Sequence, residues 1–276
     1  MTNHSEQSYY KRINMKSLLI ILLAATATLS LVAQPAEPKK MLVVTVTKGF
    51  RHQSIPTAEK VIGEIAERSG AFTVDYVRTD KEMAEKMTME NLAKYDGVIF
   101  ANTTGDLPLP DKQGFLDWIK SGKAFVGMHS ATDTFRGHKP LDPYVLMIGG
   151  EFLSHPPGLQ KVACNVEDPH HPACEHLPKQ WKIEDEIYIL NGFNRNRVSM
   201  LLSLNKEPGG DTPGFYPVSW VKQYGKGNVF YTSLGHADHV WTDPVYQQHI
   251  LGGIKWALGL QKSKVRELNE QLKQTN

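Results

Sequence analysis

Between residues 41 and 128 the chain alternates four short apolar runs with amphipathic stretches, and this alternation restricts the fold more than any other feature. The runs 41–46 (MLVVTV), 72–78 (FTVDYVR), 95–100 (YDGVIF) and 124–128 (AFVGM) are brief and rich in β-branched and aromatic residues, which is the pattern of strands. The stretch 54–68 puts Ile55, Ala58, Val61, Ile62 and Ile65 on one helical face. Ser54 is placed to cap that helix and Pro56 falls in its first turn. A weaker helical pattern covers 81–93, and another helix is expected over 110–120. Strands separated by helices lie parallel, with helices on both faces of the sheet. Right-handed crossovers then leave flavodoxin-like and Rossmann-like topologies.

The second half changes character. Residues 161–166, 181–190, 199–204, 216–224 and 228–233 read as strands with few helices between them, so a β-rich extension of the α/β sheet is expected. Residues 245–258 read as a helix that closes the domain. Residues 261–276 form a polar tail, helical or frayed over 262–274.

The N-terminal residues read as a leader. Residues 18–32 are nearly all apolar or small, Lys11, Arg12 and Lys16 precede them, and Ala33-Gln34-Pro35 follows. That layout predicts a secretory signal peptide over 1–33, with Met15 the better start. The apolar run is short for a membrane span. An uncleaved anchor is the alternative, and no Cys stands at the exit for a lipid anchor. A Pro-containing linker, 34–40, leads into a domain over 41–260. The expectation is an exported, periplasmic protein that is free of the membrane after cleavage. The whole chain has 31 Lys and Arg against 29 Asp and Glu. Losing Lys11, Arg12, Lys16 and Glu6 with the leader evens the two, which leaves no basic surplus for nucleic acid. The two cysteines, Cys164 and Cys174, are open to either a disulfide or two free thiols. Their spacing to His170, His171 and His176 fits no standard zinc finger.

In an open parallel sheet, ligands bind beyond the carboxyl ends of the strands. After the first strand comes Thr47-Lys48-Gly49-Phe50-Arg51-His52. The third is followed by Asn102-Thr103-Thr104-Gly105-Asp106, the fourth by His129-Ser130-Ala131-Thr132-Asp133, and the last by Leu234-Gly235-His236-Ala237-Asp238-His239. Histidines at three separate strand ends point to one shared pocket. Arg51 could meet an anionic group, Asp106, Asp133 and Asp238 sugar hydroxyls, and Trp241 a sugar ring, and Asn102 is a further substrate-binding candidate. Turn capping accounts for such aspartates equally well. Trp181, Tyr188, Trp220 and Tyr224 read as core aromatics. No Gly-x-Gly-x-x-Gly follows the first strand, so no nucleotide or flavin cofactor is expected.

Several short motifs recur in one order across residues 40–260: Gly49-Phe50-Arg51-His52, Gly127-Met128-His129, Gly149-Gly150-Glu151-Phe152 with His155-Pro156, Asp185-Glu186-Ile187-Tyr188, and Gly225-Lys226-Gly227-Asn228-Val229-Phe230-Tyr231 running into Leu234-Gly235-His236. In these the chain resembles the ThuA-like (trehalose utilisation) family. The resemblance implies a flavodoxin-like fold similar to class I glutamine amidotransferases, and a sugar or glycoside ligand. It also makes His155 a candidate substrate contact. Amidotransferases carry a nucleophilic Cys in Gly-x-Cys-x-Gly. The corresponding stretch here is Gly127-Met128-His129-Ser130-Ala131, with His129 at the nucleophile position. Their later His-Pro-Glu corresponds to His236-Ala237-Asp238. The thiol is absent, so glutamine hydrolysis by thiolate attack is not expected.

Three readings of the pocket remain open. His52, His129 and His236, with Glu186 or Asp238, could bind a divalent metal, zinc favoured. His129 and His236, with Asp238, could shuttle protons on a sugar. The pocket could also bind a ligand without turnover. The resemblance favours action on oxidised (keto) sugars or disaccharides by lyase, isomerase or hydrolase chemistry. A non-catalytic carbohydrate-binding or scaffold protein is the alternative, and a homo-oligomer is left open.

Overall fold

The strands beginning at Lys39, Gly97 and Ala124 are buried along most of their length because both faces of their sheet are covered, whereas Phe72–Val77, at the sheet edge, is half-exposed. Met41 and Val43 enter one hydrophobic cluster with Ile62, Phe72 and Ile99. Leu42 and Val44 enter the other with Val98, Phe100 and Phe125. The computed structural model describes residues 37–263. In chain order these form β1 (Lys39–Val44), α1 (Ile55–Ser69), β2 (Phe72–Val77), α2 (Asp80–Lys86), α3 (Met89–Leu92), β3 (Gly97–Ala101), α4 (Lys112–Lys120) and β4 (Ala124–Met128). A 3-10 turn, His129–Asp133, leads to α5 (Pro143–Ile148), β5 (Glu151–Ser154), β6 (Gln160–Val166), β7 (Gln180–Asp185) and β8 (Ile189–Asn191). The chain closes with β9 (Ser199–Lys206), β10 (Pro213–Tyr224), β11 (Gly227–Thr232), α6 (Asp238–Thr242) and α7 (Pro244–Ala257). The expected leader, and most of the expected polar tail, lie outside the described residues. Among the described residues no helix is long and apolar enough to cross a membrane.

Nine strands make one sheet in the order β2-β1-β3-β4-β11-β10-β9-β6-β7. The first five pair in parallel, including β11 beside β4. From β11 outward every pairing is antiparallel. The core is thus the flavodoxin-like arrangement, and the β-rich second half extends the same sheet. A separate antiparallel pair, β5 with β8, stands beyond it.

Two expectations change. Residues 181–190 are not one strand. Trp181, Ile183 and Asp185 keep the alternation of β7, but Glu186, Ile187 and Tyr188 are buried in succession, which no half-exposed strand allows. The chain leaves the large sheet there and joins β5 through β8. Ser54 precedes α1 as expected but makes no side-chain cap. Its hydroxyl accepts from Asn102 Nδ2 at 3.2 Å instead, tying the first crossover to the end of β3.

Cys164 and Cys174 are free, buried thiols. Burial pushes the Cys164 thiol up to about 12 and also raises Cys174. Both should resist a disulfide-exchange reagent in the native protein and react once it is denatured. A thiol count on folded and unfolded samples checks this, and fast labelling of the folded chain would contradict it.

Candidate functional site

The carboxyl edge of the parallel strands gathers the site. The crossover after β1 carries His52, the turn after β4 carries His129, and the segment after β11 carries His236. The break after β7 adds Glu186. His129 has a φ of 48°, a left-handed conformation that non-glycine residues seldom adopt. This is the sharp strand-to-helix turn expected at the nucleophile position, here bearing an imidazole. Such strain costs about 1–3 kcal/mol and persists only where neighbours enforce it. Tyr231 donates its hydroxyl to the His129 carbonyl at 2.8 Å, and Tyr144 donates to Ala131 at 2.9 Å. Gly127 keeps the turn tight, because a Cβ there would lie 2.9 Å from Ile148 Cδ1.

His129 Nδ1 lies 2.7 Å from the Ser233 carbonyl and donates to it. In the neutral ring Nε2 then carries a lone pair and no hydrogen. That nitrogen faces His52 Nε2 at 3.1 Å, His236 Nδ1 at 3.3 Å, Glu186 Oε2 at 3.4 Å and the Tyr188 hydroxyl at 3.0 Å. Glu186 Oε2 is also 3.2 Å from His236 Nδ1, and its other oxygen is 3.2 Å from His155 Nδ1. His52 turns its Nδ1 to Ser130 Oγ at 3.3 Å. One ligand atom from each of His52, His129, Glu186 and His236 lies within 4.8 Å of all the others. His129 Nε2 and the Glu186 carboxylate are both acceptors, so the cluster needs hydrogens from His52 and His236, or a cation, between them.

The titration shifts show the same demand. Burial, then the neighbouring charges of His129 and His236, push His52 down to about 3. Burial opposes ionisation of Glu186, but the imidazoles of His129 and His236 beside it outweigh that cost and hold the carboxyl well below its usual range. The hydrogen bond to Glu186 raises His236. A proton or a divalent cation can supply the missing charge, and the two compete.

Of the residues predicted from sequence, His52, His129, Glu186 and His236 come together, and His155 contacts the outer oxygen of Glu186. Asp133 lines the adjoining cavity and pairs with Arg136, whose charge is missing from the sequence reading. Four other candidates stand apart from the cluster. Asp238 is exposed at the start of α6, and the carboxylate beside the His236 backbone is Asp185. Arg51 is exposed and donates to the Thr45 carbonyl at 3.1 Å. Asn102 is fully buried and holds Ser54 and the Gly235 carbonyl. Trp241 is fully buried with its indole N–H on the Gly235 carbonyl at 2.7 Å, so neither ring face is open to a sugar.

Asp185 and Tyr188 were missed. Asp185 is fully buried and accepts the N–H groups of Gly235 at 2.6 Å, Ala237 at 3.3 Å and His236 at 3.4 Å. Its sequence signals are its place in the acidic run 184–186, at the end of an alternating strand, and in the motif Asp185-Glu186-Ile187-Tyr188. The cluster lies at the base of a divided cleft. A cavity of about 410 Å³ is lined by Asp133, Arg136, Phe152, His155 and Tyr188. A second, of about 690 Å³, is lined by Gln53, Leu159, Asp238 and His239. Phe50, Glu186 and His236 border both.

Comparison with known proteins agrees with this architecture. A family model, ThuA, described as trehalose utilisation, matches residues 40–257. A ThuA-like protein from Parabacteroides merdae ATCC 43184 superposes with a TM-score of 0.63 at 21% identity, over 80% of this chain and 90% of that one. One from Bacteroides uniformis ATCC 8492 also gives 0.63, at 19% identity, over 84% and 96%. At these identities the likeness speaks for the fold. No curated protein matches the sequence.

Proposed function

The chain belongs to the ThuA family, and from that premise we propose that it is an enzyme of carbohydrate utilisation whose His52, His129, Glu186 and His236 hold one divalent cation. The observation that carries the proposal is the convergence of three imidazole nitrogens and a carboxylate oxygen, with His129 Nε2 left no hydrogen to share. Neutral imidazoles with one carboxylate favour zinc among the common divalent ions. The supporting contacts are those a ligand set needs. Ser233 fixes the tautomer of His129, Ser130 meets the far nitrogen of His52, and Asp185 braces the His236 backbone. A cation there would polarise a carbonyl or activate water.

We assign oxidised (keto) sugars or disaccharides as substrates. The cleft supports this, because cavities on either side of Glu186 and His236 suit a ligand with two units. Arg136, Asp133 and His155 offer polar contacts in the smaller cavity. Glutamine hydrolysis has no support, since His129 occupies the turn and both thiols are buried in the β-rich half. Export to the periplasm rests on the leader pattern over 1–33 alone.

Elemental analysis of untagged protein, purified without chelators, tests the cation. About one equivalent of zinc is expected in the native chain and none in His129→Ala. A metal-free native chain after reconstitution would leave proton shuttling or simple binding. Turnover of a 3-keto-disaccharide by a folded His129→Ala chain would defeat the catalytic assignment.

A further inference from the structure

Tyr188 reads from the sequence as a core aromatic, and most of it is one. It is 3% exposed, and its ring packs between His129 and Phe152 at centroid separations of 4.4 and 4.5 Å. Its hydroxyl, however, points into the cluster, 3.0 Å from His129 Nε2. That nitrogen is the acceptor, because the His129 hydrogen is already on Nδ1 and committed to Ser233. An imidazole nitrogen has one in-plane lone pair. A cation that takes it displaces the Tyr188 hydrogen bond.

We propose that Tyr188 is a catalytic residue whose hydroxyl hydrogen, released when a cation occupies the cluster, is donated to a carbonyl or hydroxyl oxygen of the substrate. The proposal rests on the cation reading above. Burial and packing against His129 and Phe152 hold the side chain in place. Tyr188 also lines the cavity of about 410 Å³ beside the cluster, so a ligand there lies next to this side chain. A buried hydroxyl left without an acceptor is destabilising, so the loaded site selects a ligand that presents an oxygen lone pair there. The arrangement couples the two events. The cation frees the donor, and the freed donor orients the substrate oxygen beside the cluster.

The test uses the full chain labelled with 13C at tyrosine Cζ, whose chemical shift reports the hydrogen bond of the hydroxyl. Zinc alone is titrated first. One resonance, absent from Tyr188→Phe, should move in step with the first equivalent of zinc. Tyr188→Phe should bind zinc within threefold of the native affinity, or more tightly, in competition with a chromophoric chelator. It should bind a 3-keto-disaccharide at least tenfold more weakly when zinc-loaded. A residue that merely packs would leave the resonance unmoved and the ligand affinity intact. Zinc binding with no moving resonance overturns this proposal and leaves the cation reading standing. Loss of zinc by a folded Tyr188→Phe overturns it as well. Failure of the native chain to bind zinc removes both. Should Tyr188→Phe not fold, the native titration decides, because only a hydroxyl at the cluster exchanges its acceptor on loading.

Discussion

Asp185→Ala is expected to lose about 3–5 kcal/mol of stability and to weaken zinc binding at least tenfold. The carboxylate is fully buried and accepts backbone N–H groups from Gly235, His236 and Ala237. Truncation leaves these donors without the carboxylate, and the buried one, on Gly235, is without a partner, which costs about 1–3 kcal/mol. Burial raises the carboxyl above its usual range, while the charge of His129 and the backbone donors pull it back. Asp185→Asn should cost less than alanine, because it keeps the volume and one acceptor oxygen and turns only one N–H contact into a clash. Urea denaturation of the three chains gives the stabilities, and chelator competition gives the zinc affinities. An Asp185→Ala chain within about 1 kcal/mol of native, with native zinc affinity, would show that the loop after β11 holds its shape by other means.

Acid should destabilise the chelator-treated protein through two histidines remote from the cluster. Burial, then the charge of His249, pushes His171 down to about 3. Burial pushes His249 down to about 4, against a stabilising hydrogen bond to the Ala173 carbonyl at 2.8 Å. Both are neutral in the folded chain at pH 5, whereas the unfolded chain, with its histidines near 6.5, has bound those protons. Stability is therefore fully present above about pH 6.5 and falls as the pH drops toward the folded values. Between pH 7 and pH 5 each group accounts for about 2 kcal/mol. Groups of the cluster titrate too, so the diagnostic is a difference. His249→Gln keeps a donor for Ala173 and cannot protonate. It should reduce the pH 7 to pH 5 loss by about 2 kcal/mol relative to native. Equal losses in the two chains would mean that His249 is hydrated or charged in the folded state.

The parallel core was legible because local rules suffice for it. The runs beginning at Met41, Phe72 and Ala124 are too short and too β-branched to be helices, and the spacing of Ile55, Ala58, Val61, Ile62 and Ile65 allows little else. Three site histidines were legible for a related reason. A parallel sheet directs successive strand ends to one edge, so placing His52, His129 and His236 required only the strand assignments.

What failed depended on contacts between distant residues. Period-two reading ran straight through residues 181–190, and the break that delivers Glu186 and Tyr188 arises because three successive side chains are buried by neighbours the local pattern does not name. Trp241 and Asn102 were read as ligand contacts because they follow a strand end, yet both are turned inward onto the Gly235 carbonyl. Asp238 was named because His236-Ala237-Asp238 corresponds to a His-Pro-Glu stretch, whereas the carboxylate on the His236 backbone is that of Asp185, 51 residues away. By itself, then, the sequence determined the alternation that makes a parallel core, the turn that holds His129 and, through its motifs, the family and with it the flavodoxin-like arrangement. Those follow from periodicity and from motifs whose residues are near one another along the chain. Only the tertiary structure decided which polar side chains face the cleft and which satisfy buried backbone groups. Both kinds of residue are polar and sit at strand ends, and only the three-dimensional positions of their partners distinguish them.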